Sequence, residues 1–384
     1  MRILHVVTLH TPTHAFGGPT RVALSQVRAL RERGERAVLT ALGDEFGPGP
    51  LPREVEGVPV RLFRARHVLP RFEVSGITSP ALLSRATRWA ASADIVHVHL
   101  MRDLITLPFA LAALRAGTPL VLQTHGMVDP TDKPVARLVD ALGARRVLRR
   151  ADAVLYLTER ERRETAAVVA PAPIGRQYRL VNGVPGQAAP RRTAGPPTVL
   201  YLARVQAGKR PEDFVSAMPT VLARHPDARF VLAGPDTGAL AATLAHAERL
   251  GVRHALDAVG PVDGRERVMA RLRAADVFVL PSEQDAFSVS VLEAMSVGTP
   301  VVVRATTGLA ADVERAGAGR VVTDAERIGP AVLDLLEPAA NERASAAAFG
   351  LVRERFTIDR VLDSLQEVYT DVLTRAGRAR GPAR

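Results

Sequence analysis

Short apolar runs alternate with amphipathic stretches along the whole chain. In the first half, residues 3–9, 37–41, 58–62, 95–98, 120–123, 153–157 and 179–181 have the composition of buried strands. Between the first two of these, residues 19–33 repeat apolar positions at helical spacing, with Val22, Leu24, Val27 and Leu30 on or near one face. The pattern restarts at residue 198. Strands are expected at 198–201, 230–233, 258–259, 277–280 and 301–303, with helices over 239–249 and 288–296 and a last one over 358–376. Strand–helix alternation of this kind predicts parallel sheets covered on both faces.

Residues 186–197, GQAAPRRTAGPP, are rich in Gly, Pro and Arg and read as a linker. Asn182-Gly183 is a turn leading towards it. The expected organisation is therefore a domain over 1–190, a second over 191–357, and a C-terminal helix with a basic tail over 358–384. Both domains are expected to be doubly wound, and a cleft between two such domains is the default place for a ligand.

Composition narrows the classes. The chain has 384 residues and no cysteine, which excludes a disulfide framework and thiolate metal sites and fits a reducing compartment. No apolar run approaches the roughly 20 residues that span a membrane, and the apolar part of MRILHVVTLHT is too short for a signal peptide. A cytoplasmic protein is expected. The net charge is +11. Residues 1–190 hold 26 Lys and Arg against 16 Asp and Glu, so nearly all the excess lies in the first half, densest at Arg145, Arg146, Arg149 and Arg150. Such a face suits an anionic membrane or a phosphate-bearing acceptor, and equally a plain solvated surface. With 4% aromatic residues and no recognition module, nucleic acid is not an expected partner.

Two segments carry chemistry. In PSEQDAFSVSVLEAMSVGTPVVV, residues 281–303, a buried strand runs into a loop, a short helix and the next strand. Asp285 lies in the loop and Glu293 inside the helix. Parallel α/β sheets bind ligands at the carboxyl ends of their strands, and a helix N-terminus there favours an anion. Acids at such a place make sense if the ligand also carries hydroxyls, as a sugar nucleotide does. In YLARVQAGKRPEDFVSAM, residues 201–218, Arg204 follows a strand and Lys209 follows in a glycine-containing loop before a helix. Only two of the 51 basic residues are lysine, Lys133 and Lys209. Two cations there suit a pyrophosphate; taken alone, they read equally as exposed loop charges.

Together these segments resemble the retaining glycosyltransferases of family 4, which have the GT-B fold: two Rossmann-like domains facing across a cleft. GGPTRVALSQVRALRERG, ADIVHVHL, TPLVLQTHG, ADAVLYLTERER and RLVNGVP resemble the N-domain landmarks of that family in their usual order, so the resemblance covers nearly the whole chain. It implies a nucleoside-diphosphate sugar as co-substrate and no metal or other cofactor. Arg204 and Lys209 would stabilise the departing diphosphate. Glu293 would bind the ribose hydroxyls, and Asp285 would contact the donor sugar where the family usually has glutamate. Phe287, Ser288, Val289 and Ser290 would offer backbone N–H groups to sugar and phosphate, although Ala286 and Ser288 replace the glycines common on either side of the phenylalanine.

In the first domain, His125 of Gln123-Thr124-His125-Gly126 matches a histidine near the reacting carbon, and Gly17-Gly18 would let backbone amides approach phosphate or acceptor. His97 and His99 are read as lying on opposite faces of their strand, with packing and loop roles and no metal. The segment 124–161 resembles enzymes that build exopolysaccharide and other cell-surface glycans. That implies a glycan, lipid-linked or small-molecule acceptor and a peripheral contact at the inner membrane face. A sugar-nucleotide epimerase of the same fold and a non-catalytic glycan- or membrane-binding protein are the alternatives.

Overall fold

The computed structural model describes residues 1–12, 18–188, 195–262, 264–283 and 285–380, with side chains as far as 377. The chain divides into two compact units. One comprises residues 1–182 together with 358–384, the other residues 183–357.

The first unit is built on a sheet whose strands are β1 (Arg2–His10), β2 (Arg36–Gly43), β3 (Glu54–Val55), β4 (Val58–Arg64), β7 (Ile95–His99), β8 (Leu120–Gln123), β9 (Ala153–Tyr156) and β10 (Gln177–Arg179); β5 (Arg66–His67) and β6 (Ile77–Thr78) form a separate small hairpin. The order across the sheet is β10-β9-β8-β7-β1-β2-β4-β3, parallel except where β3 meets β4. Strand order reverses between β1 and β7, and the ends of those two strands define the place where such sheets take ligands. The last strand lies two residues earlier than the 179–181 run suggests.

Two apolar layers cover this sheet. One holds Leu4, Val6, Val96, Val98 and the helix Thr106–Ala116. The other holds Ile3, Val7, Ile95, the helix Gly18–Glu32, and Val361, Leu362, Leu365, Val368, Tyr369 and Val372 of the helix Ile358–Arg380. The C-terminal helix thus returns to the first unit. Arg33 donates to Asp363 (2.7 Å), Arg375 donates to the Asp152 carbonyl (3.0 Å), and Tyr178 donates to Asp371.

The second unit has six parallel strands: β11 (Thr198–Leu202), β12 (Arg229–Ala233), β13 (Leu256–Gly260), β14 (Val277–Leu280), β15 (Val301–Arg304) and β16 (Gly319–Val322). Their order is β13-β12-β11-β14-β15-β16, the doubly wound order with its reversal between β11 and β14. β14 is wholly buried, as its unbroken Val-Phe-Val-Leu run requires of a central parallel strand. The segments read as cation-bearing and acid-bearing follow β11 and β14, so the topology sets them on either side of one switch point. No helix among the described residues is long and apolar enough to cross a membrane.

Candidate functional site

At the carboxyl end of β11 the chain turns sharply through Arg204. The Tyr201 hydroxyl donates to the Arg204 carbonyl (3.0 Å), and the Val205 N–H donates to the Pro235 carbonyl (2.9 Å). Gly234 makes this turn sterically feasible. Its φ is +141°, and a Cβ there would lie 1.8 Å from the Ala203 carbonyl oxygen, so no other residue fits without moving the backbone that carries Arg204. Arg204 itself is half-buried.

Lys209 closes a short 3₁₀ turn, Ala207–Lys209. The Ser282 hydroxyl, buried beyond the end of β14, donates to the Gly208 carbonyl (3.2 Å) and ties the two loops together. The next residue, Arg210, has φ +53° and forks onto Asp213 (2.9 and 3.1 Å), which Arg304 also approaches at 3.4 Å. With its flanks pinned, Lys209 Nζ reaches Asp285 Oδ2 at 2.5 Å, and both side chains are mostly buried. The two residues assigned separately to phosphate and sugar are thus in direct contact.

The Asp285 loop is anchored from β15: the Gly308 N–H donates to the Asp285 carbonyl (2.9 Å). Phe287 is buried edge-on against Phe356, ring centroids 5.8 Å apart. Ser288 begins the helix Val289–Ser296 at φ −70° and ψ 117°, and neither it nor Ala286 has a positive φ. Serine and alanine in place of glycine therefore cost no backbone strain here. Val289 and Ser290 are half-buried in the first turn, where N–H groups lack intrahelical partners. Glu293 lies farther along the helix and is buried to 3% exposure. The arrangement sets half-buried cations, a carboxylate and free helix N–H groups around one switch point, which suits a ligand with both phosphates and hydroxyls.

In the first unit, His125 follows β8 with φ +52°, a left-handed conformation unusual for a histidine, and Gly126 follows at +72°. Glu161 holds this bend. Its Oε1 accepts from the Thr124 hydroxyl and the Gly126 N–H, both at 2.6 Å, and its Oε2 accepts from the Leu157 N–H at 2.6 Å. Thr158 caps the helix Glu159–Val169 by accepting from the Glu161 N–H (3.2 Å). Glu161 is a functional candidate that the residue-type reading passed over. The Thr-x-x-Glu spacing of a capping box is visible in the sequence, but the carboxylate's reach to another loop is not.

His97 and His99 share one face of β7, because residues two apart on a strand point the same way. Their rings stack at 4.7 Å with an interplanar angle of 1°. The expectation of opposite faces is corrected: valines, not histidines, take the other face. His5, His97 and His99 are fully buried, and their ring nitrogens lie within 4.8 Å of one another, a spacing that metal ligands also adopt. Apart from His97 Nε2, these nitrogens are engaged within the cluster and with Tyr369: His5 Nδ1 to His99 Nε2 at 3.2 Å, and Tyr369 to His97 Nδ1 at 2.7 Å and to His5 Nε2 at 3.2 Å. His99 Nδ1 continues to His125 Nε2 at 2.7 Å. Burial lowers the pKa of His5 to about 3 and pushes His97 and His99 far down, so the cluster is neutral at pH 7.

Gly17 lies outside the described residues, and Gly18 is the exposed first residue of the helix Gly18–Glu32. Arg145, Arg146, Arg149 and Arg150 are exposed on the helix Arg145–Arg150, which continues Pro134–Val139 through a π turn over Asp140–Ala144. Val135, Leu138 and Leu142 of the same helical stretch are also exposed, at 49, 57 and 73%.

Residues 187–348 match the family model described as glycosyl transferases group 1, and residues 17–177 match that of a glycosyl transferase 4-like domain. The chain is 30% identical to D-inositol 3-phosphate glycosyltransferase 2 of Catenulispora acidiphila, covering 83% of this chain and 81% of that protein. It is 28% identical to D-inositol 3-phosphate glycosyltransferase of Streptomyces scabiei, over 96% of this chain and 90% of the relative. Among solved structures, sucrose-phosphate synthase from Thermosynechococcus elongatus superposes with a TM-score of 0.76 at 18% identity, covering 98% of this chain and all of that one. Anabaena HepE in complex with UDP gives 0.73 at 17% identity, covering 96% and 100%. At such identities these structures attest the fold, GT-B.

Proposed function

Because the chain belongs to the group 1 glycosyltransferases, with a glycosyltransferase 4-like domain in its first half, we propose that it transfers a sugar from a nucleoside-diphosphate sugar with retention of anomeric configuration. The observation that carries this reading is the 2.5 Å contact between Lys209 and Asp285 beside Arg204, at the switch point of the second unit. A permanently opposed pair on the rim of a ligand site serves a ligand that can part it, and a sugar diphosphate offers phosphate to the lysine and hydroxyls to the carboxylate. HepE, a structural neighbour, is described in complex with UDP, which fits the same ligand class.

In this reading Arg204 and Lys209 bind the diphosphate and stabilise the charge that builds on it as the glycosidic bond breaks. The first-turn N–H groups of Val289 and Ser290 add to that field. Glu293 accepts from the ribose hydroxyls. Asp285 accepts from hydroxyls of the transferred sugar, with the backbone of Phe287 and Ser288 beside it. The cations supply the charge that a divalent metal supplies elsewhere, so no metal is required. Departure of the diphosphate and arrival of the acceptor occur on one face, through an oxocarbenium-like transition state. His125 is the first unit's contribution to the reaction.

The acceptor is a glycan, a lipid-linked sugar or a small molecule. The inositol-phosphate glycosyltransferases among the relatives favour a polyhydroxylated, anionic acceptor, in keeping with the basic first unit. Exposed Val135, Leu138 and Leu142 beside Arg145, Arg146, Arg149 and Arg150 support peripheral contact with an anionic membrane.

A panel of nucleoside-diphosphate sugars, incubated with the protein and followed by mass spectrometry, tests the reading. Slow donor hydrolysis, accelerated by an acceptor, supports a transferase. Isomerised donor formed without acceptor favours an epimerase, and no nucleotide binding by calorimetry removes the donor site.

A further inference from the structure

We propose that a buried hydrogen-bond chain from Tyr369 through His5 and His99 fixes His125 as a neutral Nδ1–H donor. This deepens the assignment of His125 to the transfer reaction and rests on that reading.

The chain is contiguous. Tyr369 OH contacts His97 Nδ1 (2.7 Å) and His5 Nε2 (3.2 Å), His5 Nδ1 contacts His99 Nε2 (3.2 Å), and His99 Nδ1 contacts His125 Nε2 (2.7 Å). His5 and His99 spend both ring nitrogens on it. A neutral imidazole has one N–H and one lone pair, so every link must run in the same direction. Burial keeps the rings neutral, which leaves two possible directions for the whole chain.

The direction is set at its far end. His97 Nε2 is buried against the Gln123 side chain, whose Nε2 is likewise buried and makes no other hydrogen bond. Gln123 already accepts at Oε1 from Gln26 Nε2 (3.2 Å). That leaves Gln123 only its unpaired Nε2–H for His97, and a proton on His97 Nε2 would set two buried donors against each other with no acceptor between them. The proton therefore sits on His97 Nδ1 and is donated to the Tyr369 oxygen. Tyr369 has one proton left to give, and it goes to His5 Nε2. His5 Nδ1–H then donates to His99 Nε2, and His99 Nδ1–H donates to His125 Nε2. His125 is left with its proton on Nδ1.

Two consequences follow. His125 donates a hydrogen bond to a substrate oxygen and does not act as a base, because its free nitrogen carries the proton. Tyr369, on a helix that the chain supplies after completing its second unit, becomes a positioning residue for a loop more than 240 positions earlier in sequence. The return of the helix Ile358–Arg380 to the first unit thus completes the network as well as the core.

Nitrogen-15 NMR of the intact protein with labelled histidine tests this directly, with His5, His97, His99 and His125 assigned by single substitution among the ten histidines. All four are expected as Nδ1–H tautomers at pH 7. An Nε2–H or doubly protonated His125 overturns the proposal, and so does stoichiometric metal in the purified protein with the three buried rings as ligands. Tyr369→Phe is expected to leave His125 a tautomer mixture and to lower kcat roughly 10- to 100-fold, as loss of one oriented donor does, with donor KM unchanged. Unchanged kcat with an altered tautomer overturns the catalytic link. Failure of the wild-type protein to turn over any donor, with the tautomers as stated, removes the transferase reading and leaves the chain standing.

Discussion

Lys209 Nζ lies 2.5 Å from Asp285 Oδ2, each on a loop that follows one of the two central strands of the second unit. The pair is built by tethers on both sides: Ser282 holds the Gly208 carbonyl, and Gly308 holds the Asp285 carbonyl. A lysine so held is aimed before any ligand arrives, which removes part of the ordering cost of binding.

The pair gives opposite expectations for its two members. Lys209→Ala removes the cation proposed to stabilise the leaving diphosphate, and kcat is expected to fall by about 100-fold or more, with the fold retained because the residue is on a loop. Asp285→Asn releases Lys209 and is expected to tighten nucleoside-diphosphate binding while lowering turnover. Asp285→Glu lengthens the side chain by one methylene and is expected to change the ranking of donor sugars. Calorimetry with nucleoside diphosphates and a donor panel measure all three. Equal diphosphate affinity in the parent and Asp285→Asn would show that the pair does not restrain Lys209.

Glu161 is expected to matter to both stability and turnover. It accepts three hydrogen bonds of 2.6 Å, two of them from the loop that holds His125 at φ +52°. Glu161→Gln keeps the shape but presents an amide where a carboxylate oxygen accepted, leaving a buried donor without a partner. A loss of about 1–3 kcal/mol is expected, read by denaturant unfolding. Turnover should fall further than donor affinity, since the residues proposed to bind the donor belong to the second unit.

The buried histidines predict an onset of acid destabilisation. His5, His97 and His99 have pKa values depressed by burial, to about 3 for His5, against about 6.5 in an unfolded chain. Below the unfolded value the unfolded state binds more protons, so stability is full above about pH 6.5 and falls as pH drops towards 3. Each histidine that charges only on unfolding contributes a slope of up to about 1.4 kcal/mol per pH unit. Buried Asp103, whose pKa is raised by burial, opposes the trend. Thermal unfolding between pH 5 and 8 should show Tm falling from about pH 6.5. His5→Gln should flatten that fall.

The parts of this molecule that the sequence made plain are those with one-dimensional causes. Buried parallel strands are continuous apolar runs, so β1, β8, β14 and β15 could be read directly. β16, Gly-Arg-Val-Val at the sheet edge, is only partly buried and has no such run. The amphipathic face of the helix Ile358–Arg380 announces that it buries a stripe, but not against which unit. The site divides the same way. Arg204, Lys209, Asp285 and Glu293 announce themselves by position after strands and in a helix. Gly234 and Glu161 act on loops distant in sequence, and only the fold brings them there.

The exposed helix over Pro134–Arg150 supplies the last test. Val135, Leu138 and Leu142 recur at three and four residues, one side of a helix, and stay exposed. The π turn over Asp140–Ala144 shifts the register so that Val147 and Leu148 are buried beyond it, where Gly143 allows close packing on Leu107. Arg145, Arg146, Arg149 and Arg150 alternate with that buried pair and remain in solvent. An apolar stripe edged by arginine suits the interface of an anionic bilayer. Leucine burial contributes about 1.5–3 kcal/mol per side chain and each arginine about 1 kcal/mol near an anionic surface. Leu138→Glu with Leu142→Glu is therefore expected to abolish sedimentation with vesicles containing phosphatidylglycerol. Neutralising the four arginines should weaken it in a salt-dependent manner. Neither change should alter hydrolysis of soluble donor. Vesicle binding by both variants equal to the parent would dismiss the helix as a membrane contact.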